Sequence, residues 1–244
     1  MMKIPGFFSG VRSYQLPHPD VPLRLILVTH LAVAKAFELL REQPPTGFQL
    51  SAAKEDEITR QLQWILENRL LRGNEVPGFD TRRIKNVVRA PEVSNYNYQH
   101  PAKKPDLVLF LLQRESLPLL HSHDGLFAEC KPVDKKHPIG QHYCDQGIRR
   151  FVIGDYAWAM RDGLLVAYVR DGRTIEKNLV PALKSKNRRR PLGSPARPTS
   201  VQGSRSSDRM ESVHVTTHKR SFLWPFDFGN ACPIRIYHSW HDCS

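Results

Sequence analysis

Two short apolar runs with charged residues fixed at their ends, residues 107–112 (LVLFLL) and 126–131 (LFAECK), constrain this chain most tightly. Pro105-Asp106 opens the first run. A polar connection containing Pro118 and His121-Ser122-His123-Asp124-Gly125 leads into the second. Both have the length and composition of strands, and strand side chains alternate between faces. Glu129 and Lys131 therefore share one face, while Ala128 and Cys130 point the other way. If the runs pair as a hairpin, Asp106 at the start of one strand lies beside Glu129 in the other. Two carboxylates and an ammonium then converge at one end of a largely buried sheet, an arrangement suited to a metal ion and a water molecule.

The flanking segments supply helices and further strands. Asp20 is an expected N-cap, with Pro22 in the first turn, of a helix reaching residue 42, where Pro44-Pro45-Thr46-Gly47 stops it. Ser51 is expected to cap a second helix, to residue 72, with Glu55, Asp56 and Glu57 in its first turns and Ile58, Leu62, Ile65, Leu66 and Leu70 as its buried stripe. Residues 73–100 are rich in Gly, Pro, Asn and Arg and read as loop, with Arg82, Arg83, Lys85 and Arg89 and the aromatics Phe79, Tyr96 and Tyr98. A helix over 140–161 buries Ile148, Phe151, Val152, Tyr156 and Ala159. Residues 163–170 (GLLVAYVR) form a continuous apolar run of the kind buried on both faces, followed by a helix over 174–184. The expectation is a single α/β domain spanning 1–244: a helical part (20–72), a core (103–183), a flexible basic linker (184–208) and C-terminal strands (210–240) that extend or cap the sheet.

The chain has 244 residues, enough for one sizeable core. The apolar stretch 23–40 is interrupted by Arg24, His30, Lys35 and Glu38, so it does not read as a membrane span. The opening residues lack the long apolar region of a secretory signal, and four cysteines without a CxxC pair fit a reduced, cytoplasmic compartment. A formal charge of +12 favours a polyanionic partner. More than half of that excess falls in residues 184–209, which hold eight Lys or Arg and one Asp.

Pro105-Asp106 followed by Glu129-Cys130-Lys131 resembles the motif of the PD-(D/E)XK nuclease superfamily. The resemblance implies a restriction-endonuclease-like core, a mixed β-sheet flanked by helices, here with extra C-terminal strands. It implies that Asp106 and Glu129 bind Mg²⁺ (or Mn²⁺ in its place), with the carbonyl of Cys130 as a further ligand. Lys131 would position or deprotonate the attacking water and stabilise charge at phosphorus. An acidic residue from the preceding helix often completes such a site, which makes Glu57 the candidate. The helix after the motif often brings a glutamine or a basic residue near the phosphate, which singles out Gln146 and Arg150. Lys103, Lys104, Lys135 and Lys136 are the expected backbone contacts.

The activity expected on this basis is Mg²⁺-dependent hydrolysis of DNA by a restriction- or defence-type endonuclease, with a homodimer implied by resemblance. The alternatives are a structure-specific or RNA-directed nuclease, or a non-catalytic nucleic-acid-binding module on the same fold. Clustered carboxylates beside a phosphate backbone disfavour the module, because they repel phosphate unless a cation lies between. His121, His123, His137, His142 and Cys144 do not have the spacing of zinc ligands.

Overall fold

A computed structural model describes residues 15–112, 119–201, 213–225 and 227–244. The elements in chain order are α1 (Leu23–Glu42), α2 (Glu55–Ile65, prolonged by a π-helical turn Leu66–Leu70 and by Leu71–Gly73), β1 (Ile84–Arg89), β2 (Leu107–Leu111) and β3 (Gly125–Val133). They are followed by α3 (wide π-helical turns Ile139–Ile148, then Arg149–Val152), β4 (Asp162–Val169), α4 (Ile175–Leu179 and Val180–Lys184), α5 (Lys186–Arg189), β5 (Thr199–Ser200), β6 (His214–His218) and β7 (Ile234–Asp242).

The seven strands form one mixed sheet in the order β1-β2-β3-β4-β7-β6-β5. β1, β2 and β3 are antiparallel neighbours, and β3, β4 and β7 are parallel. β7, β6 and β5 are again antiparallel. The parallel β3–β4 pair requires a crossover, and α3 provides it. β3 and β4 are buried along their whole length, as expected for strands covered on both faces. α1 and α2 cover one face: His30 bonds to Ser239, Phe37 packs edge-on to Tyr168, and Thr59 bonds to the Tyr168 hydroxyl. α3 covers the other, where Tyr143 meets His238 and Trp240 of β7. The α/β class, the mixed sheet with flanking helices and the C-terminal strands that extend it are therefore all present.

Several boundaries differ from the sequence reading. Pro22, not Asp20, occupies the α1 N-cap; Asp20 pairs with Arg235 at 2.9 Å and Arg161 at 3.4 Å. Lys54, not Ser51, precedes α2. β1 lies inside the segment taken for loop. α3 ends at Val152 rather than 161, because Gly154 adopts φ +74° between Phe222 and Tyr96, whose ring atoms would lie 2.8 and 2.9 Å from a Cβ there. The basic segment is not simply a flexible linker. Through residue 201 it is docked: Arg188 bonds to Asp145 at 3.1 Å and to the Gly140 carbonyl at 3.0 Å. The rest of that expected linker, 202–208, and the start of the expected strand, 210–212, lie outside the described residues.

Candidate active site

β2 pairs with β3 only as far as Leu107↔Ala128, whereas β3 continues beside β4 to Val133. Beyond that point the two strands fork, and the next residues, Asp106 and Glu129, face the fork. The backbone N–H of Cys130, without a β2 carbonyl to bond, donates to Asp106 Oδ2 at 2.7 Å. That bond replaces a ladder hydrogen bond and fixes the carboxylate beside β3. A short β2 thus creates an opening in the sheet, with the acidic group anchored at its edge.

Glu129 and Lys131 project into the same opening. Lys131 Nζ lies 3.0 Å from Glu129 Oε1, 3.6 Å from Asp106 Oδ2 and 2.7 Å from Glu55 Oε1. The third acid comes from the first turn of α2, as the resemblance implied, but it is Glu55. Glu57 instead turns back along its own helix and accepts from the Lys54 N–H at 3.0 Å. A glutamate three residues after the N-cap is well placed to satisfy that free donor.

Glu129 is fully buried and held from two further sides. Arg150 Nη1 donates to Oε1 at 2.7 Å, and the buried hydroxyl of Tyr156 donates a short hydrogen bond to Oε2. Burial and the neighbouring Asp106 push the Glu129 carboxyl up to about 7, against the opposing pull of Lys131, Arg150 and Tyr156. Burial alone would lower the Lys131 ammonium, but Glu129, Asp106 and Glu55 outweigh it and raise the group above the usual lysine value. Lys131 is thus a protonated donor at neutral pH, suited to stabilising an anion rather than to removing a proton. Arg150 is likewise raised, its burial outweighed by Glu129 and Tyr156.

The other expected contacts are distributed around this opening. Arg150 reaches the site, while Gln146, one turn earlier on α3, is exposed and contributes no bond to it. Lys103 pairs with Asp155 at 3.0 Å, and the Asp155 N–H donates to the Arg150 carbonyl. Lys103 therefore braces the loop that carries Tyr156. Lys104 pairs with Glu92 at 3.0 Å. Lys135 and Lys136 are exposed on the turn after β3, which Asp134 organises by accepting from the Lys136 and His137 N–H groups.

Asp106, Glu129 and the Cys130 carbonyl are hard oxygen donors of the type that Mg²⁺ takes. Three carboxylates, Asp106, Glu129 and Glu55, face two cations, Lys131 and Arg150, here. The donor set therefore fits a divalent ion held by two carboxylates, a carbonyl and water. Among the described residues there is no group of three or more His, Cys, Asp or Glu side chains arranged to hold a metal. No helix among the described residues is long and apolar enough to cross a membrane. In comparisons with known proteins the chain matches no family model, no curated protein and no solved structure.

Proposed function

We propose that this protein is a Mg²⁺-dependent phosphodiesterase that cleaves DNA, built on a restriction-endonuclease-like core. The observation that carries the reading is the fork itself: the carboxylates of Asp106, just before β2, and Glu129, in β3, both lie within 3.6 Å of Lys131 Nζ at one opening in a buried sheet. The β3-α3-β4 parallel crossover next to an antiparallel β1-β2-β3 unit supports the same core. A divalent ion at this site would activate water and neutralise charge on the scissile phosphate.

The chain's own residues would do the rest. Asp106, anchored by the Cys130 N–H, and Glu129, oriented by Tyr156, hold ligand oxygens at fixed positions. Preorganised groups of this kind need little rearrangement when charge develops. Lys131, kept protonated by its carboxylate neighbours, donates to the attacking water or to a non-bridging phosphate oxygen. Glu55 orients Lys131 from the α2 side. Arg150 bonds Glu129 in the free protein and is exposed enough to transfer to the phosphate. A second reading, a binding module without catalysis, draws on one observation: both Glu129 oxygens already accept protein hydrogen bonds.

The test is cleavage of supercoiled plasmid, with single-stranded DNA and RNA in parallel, in Mg²⁺ or EDTA, with Glu129→Ala and Lys131→Ala beside the parent. Metal-dependent cutting lost in both variants is expected. Metal-insensitive binding with no cutting of any substrate would transfer the protein to the module reading.

A further inference from the structure

We infer that a cleft beside the C-terminal end of α3 is a second anion site, one that binds the phosphodiester backbone of nucleic acid beyond the scissile bond. The cleft holds about 630 Å³ and is lined by Arg149, Arg190, Lys219 and Arg220, with no carboxylate among the described residues that line it. The cations come from three parts of the chain: α3, the docked segment after α5, and the strand exit after β6.

Two features make this more than a solvated basic face. The first is that its walls are fixed. The Lys219 N–H bonds to the Gly193 carbonyl at 2.9 Å, and Gly193 has φ +68°, with the Lys219 carbonyl 2.1 Å from where a Cβ would stand. Arg188 clamps the same segment to α3 through Asp145. Arg190 and Lys219 are thus presented on opposed, docked backbone rather than on a free tail.

The second is Arg220, which is buried and has no carboxylate partner among the described residues. Its guanidinium donates to the Cys232 carbonyl at 2.6 Å, to the Trp158 carbonyl at 3.1 Å and to Cys232 Sγ at 3.4 Å. Neutral acceptors satisfy its hydrogen bonds, and the Phe222 ring, 5.3 Å from the guanidinium carbon, offsets part of its charge; no counter-ion among the described residues offsets the rest, and a buried charge without one is costly. An anion in the cleft supplies the missing charge. Val152 and Ile153 give the cleft an apolar side suited to sugar.

The occupant follows from sequence adjacency. Arg149 lines the cleft, and its neighbour Arg150 contacts Glu129. Cleft and fork are thus served by consecutive residues of one helix, and a strand with its scissile phosphate at the fork would reach the cleft by passing around α3. This inference rests on the proposed nuclease reading for its substrate but not for its charge.

The experiment is anisotropy of a labelled 20-base-pair DNA duplex bound to the full chain in EDTA, as a function of salt. Arg149→Ala/Arg190→Ala/Lys219→Ala is compared with a control of equal charge loss outside the cleft, Arg69→Ala/Arg72→Ala/Arg173→Ala. Loss of three phosphate contacts makes the slope of log K against log salt shallower by about 2 to 3 and weakens binding at least roughly tenfold, while the control keeps the parent slope. Equal slopes for the two triple variants would overturn the inference. Inorganic phosphate is expected to displace the duplex no better than chloride at matched ionic strength; stronger displacement would reassign the cleft to free phosphate. Mg²⁺-dependent cleavage by the parent is read separately. A parent that cuts while the two variants share one slope refutes the cleft alone. A parent that shows the cleft-dependent slope but never cuts refutes the nuclease reading alone. A parent that binds no DNA in EDTA refutes the cleft, and one that in addition never cuts with Mg²⁺ refutes both.

Discussion

Replacing Tyr156 by phenylalanine removes a single buried hydroxyl, the donor to Glu129 Oε2, and leaves the ring in place against Phe151 and Phe127. The cost depends on the charge of its acceptor. Glu129 titrates near 7 in the folded protein, raised from 4.5 by burial first and Asp106 second. At pH 8.5 the hydroxyl donates to a carboxylate, a bond worth about 1.5–3 kcal/mol. At pH 5.5 it meets a neutral carboxyl, and the bond is worth about 0.5–1.5 kcal/mol. The sign for the parent is also set. A carboxyl whose folded pKa lies above its unfolded value contributes stability that is complete below about 4.5 and is lost as pH rises through 7. The variant loses its hydroxyl's help for the ionised form, which raises its folded Glu129 pKa further, so its decline continues to higher pH than the parent's. Urea unfolding of parent and Tyr156→Phe at both pH values should therefore give a deficit larger by about 1 kcal/mol at pH 8.5. Equal deficits, or one below about 0.5 kcal/mol at both, would refute the claim that Tyr156 stabilises the charged form of Glu129.

The two acids at the start of α2 separate by function. Glu55→Gln is expected to lower the cleavage rate at least roughly tenfold, since Lys131 loses a partner at 2.7 Å. Glu57→Gln should cost only about 0.5–1 kcal/mol of stability and leave cleavage within about twofold; the reverse pattern in initial rates would return the role to Glu57. Burial lowers His218 to about 4, although its bond to the Leu192 carbonyl opposes the shift. Its contribution is therefore complete above the ordinary value of 6.5 and is lost as pH falls towards 4. Unfolding free energies of His218→Gln, from denaturant titrations, should fall less steeply over that range, by up to about 3 kcal/mol; parallel profiles would contradict this. Gly193→Ala places a Cβ against the Lys219 carbonyl at positive φ and should cost about 2 kcal/mol or more, read as a lower Tm. An unchanged Tm would mean that the Gly193 segment is not docked as described.

The carboxylate–lysine cluster was legible in sequence because three of its parts are local. Apolar runs fix two strands, and pairing places Asp106 opposite Glu129. The side-chain alternation then gives Glu129 and Lys131 a common face. Glu55 and Glu57 were harder to separate, since both lie in the first turn of one helix. The choice depends on the helix starting at residue 55 rather than 52, which puts Glu57 at the position that caps its own N-terminus. Tyr156 carried no signal. It followed the apolar spacing of α3, and what ends that helix is the packing of Tyr96 and Phe222 around Gly154, contacts from distant parts of the chain. β1 was hidden because an edge strand needs only Ile84 and Val87 buried, in surroundings rich in Gly, Pro and Arg. Composition alone marked 184–201 as linker. Arg188, a charged residue that anchors through Asp145, is invisible to any count of apolar residues.

Binding of Mn²⁺, followed by the loss of its free-ion electron paramagnetic resonance signal, tests the central claim most directly, because it needs no knowledge of the preferred substrate. The parent is expected to take up the ion, with binding reduced at least roughly tenfold in both Asp106→Asn and Glu129→Gln and little changed in Glu57→Gln. Equal binding in the parent and both carboxylate variants, or no binding by the parent with or without DNA present, would contradict a metal-dependent hydrolytic site at the β2–β3 fork.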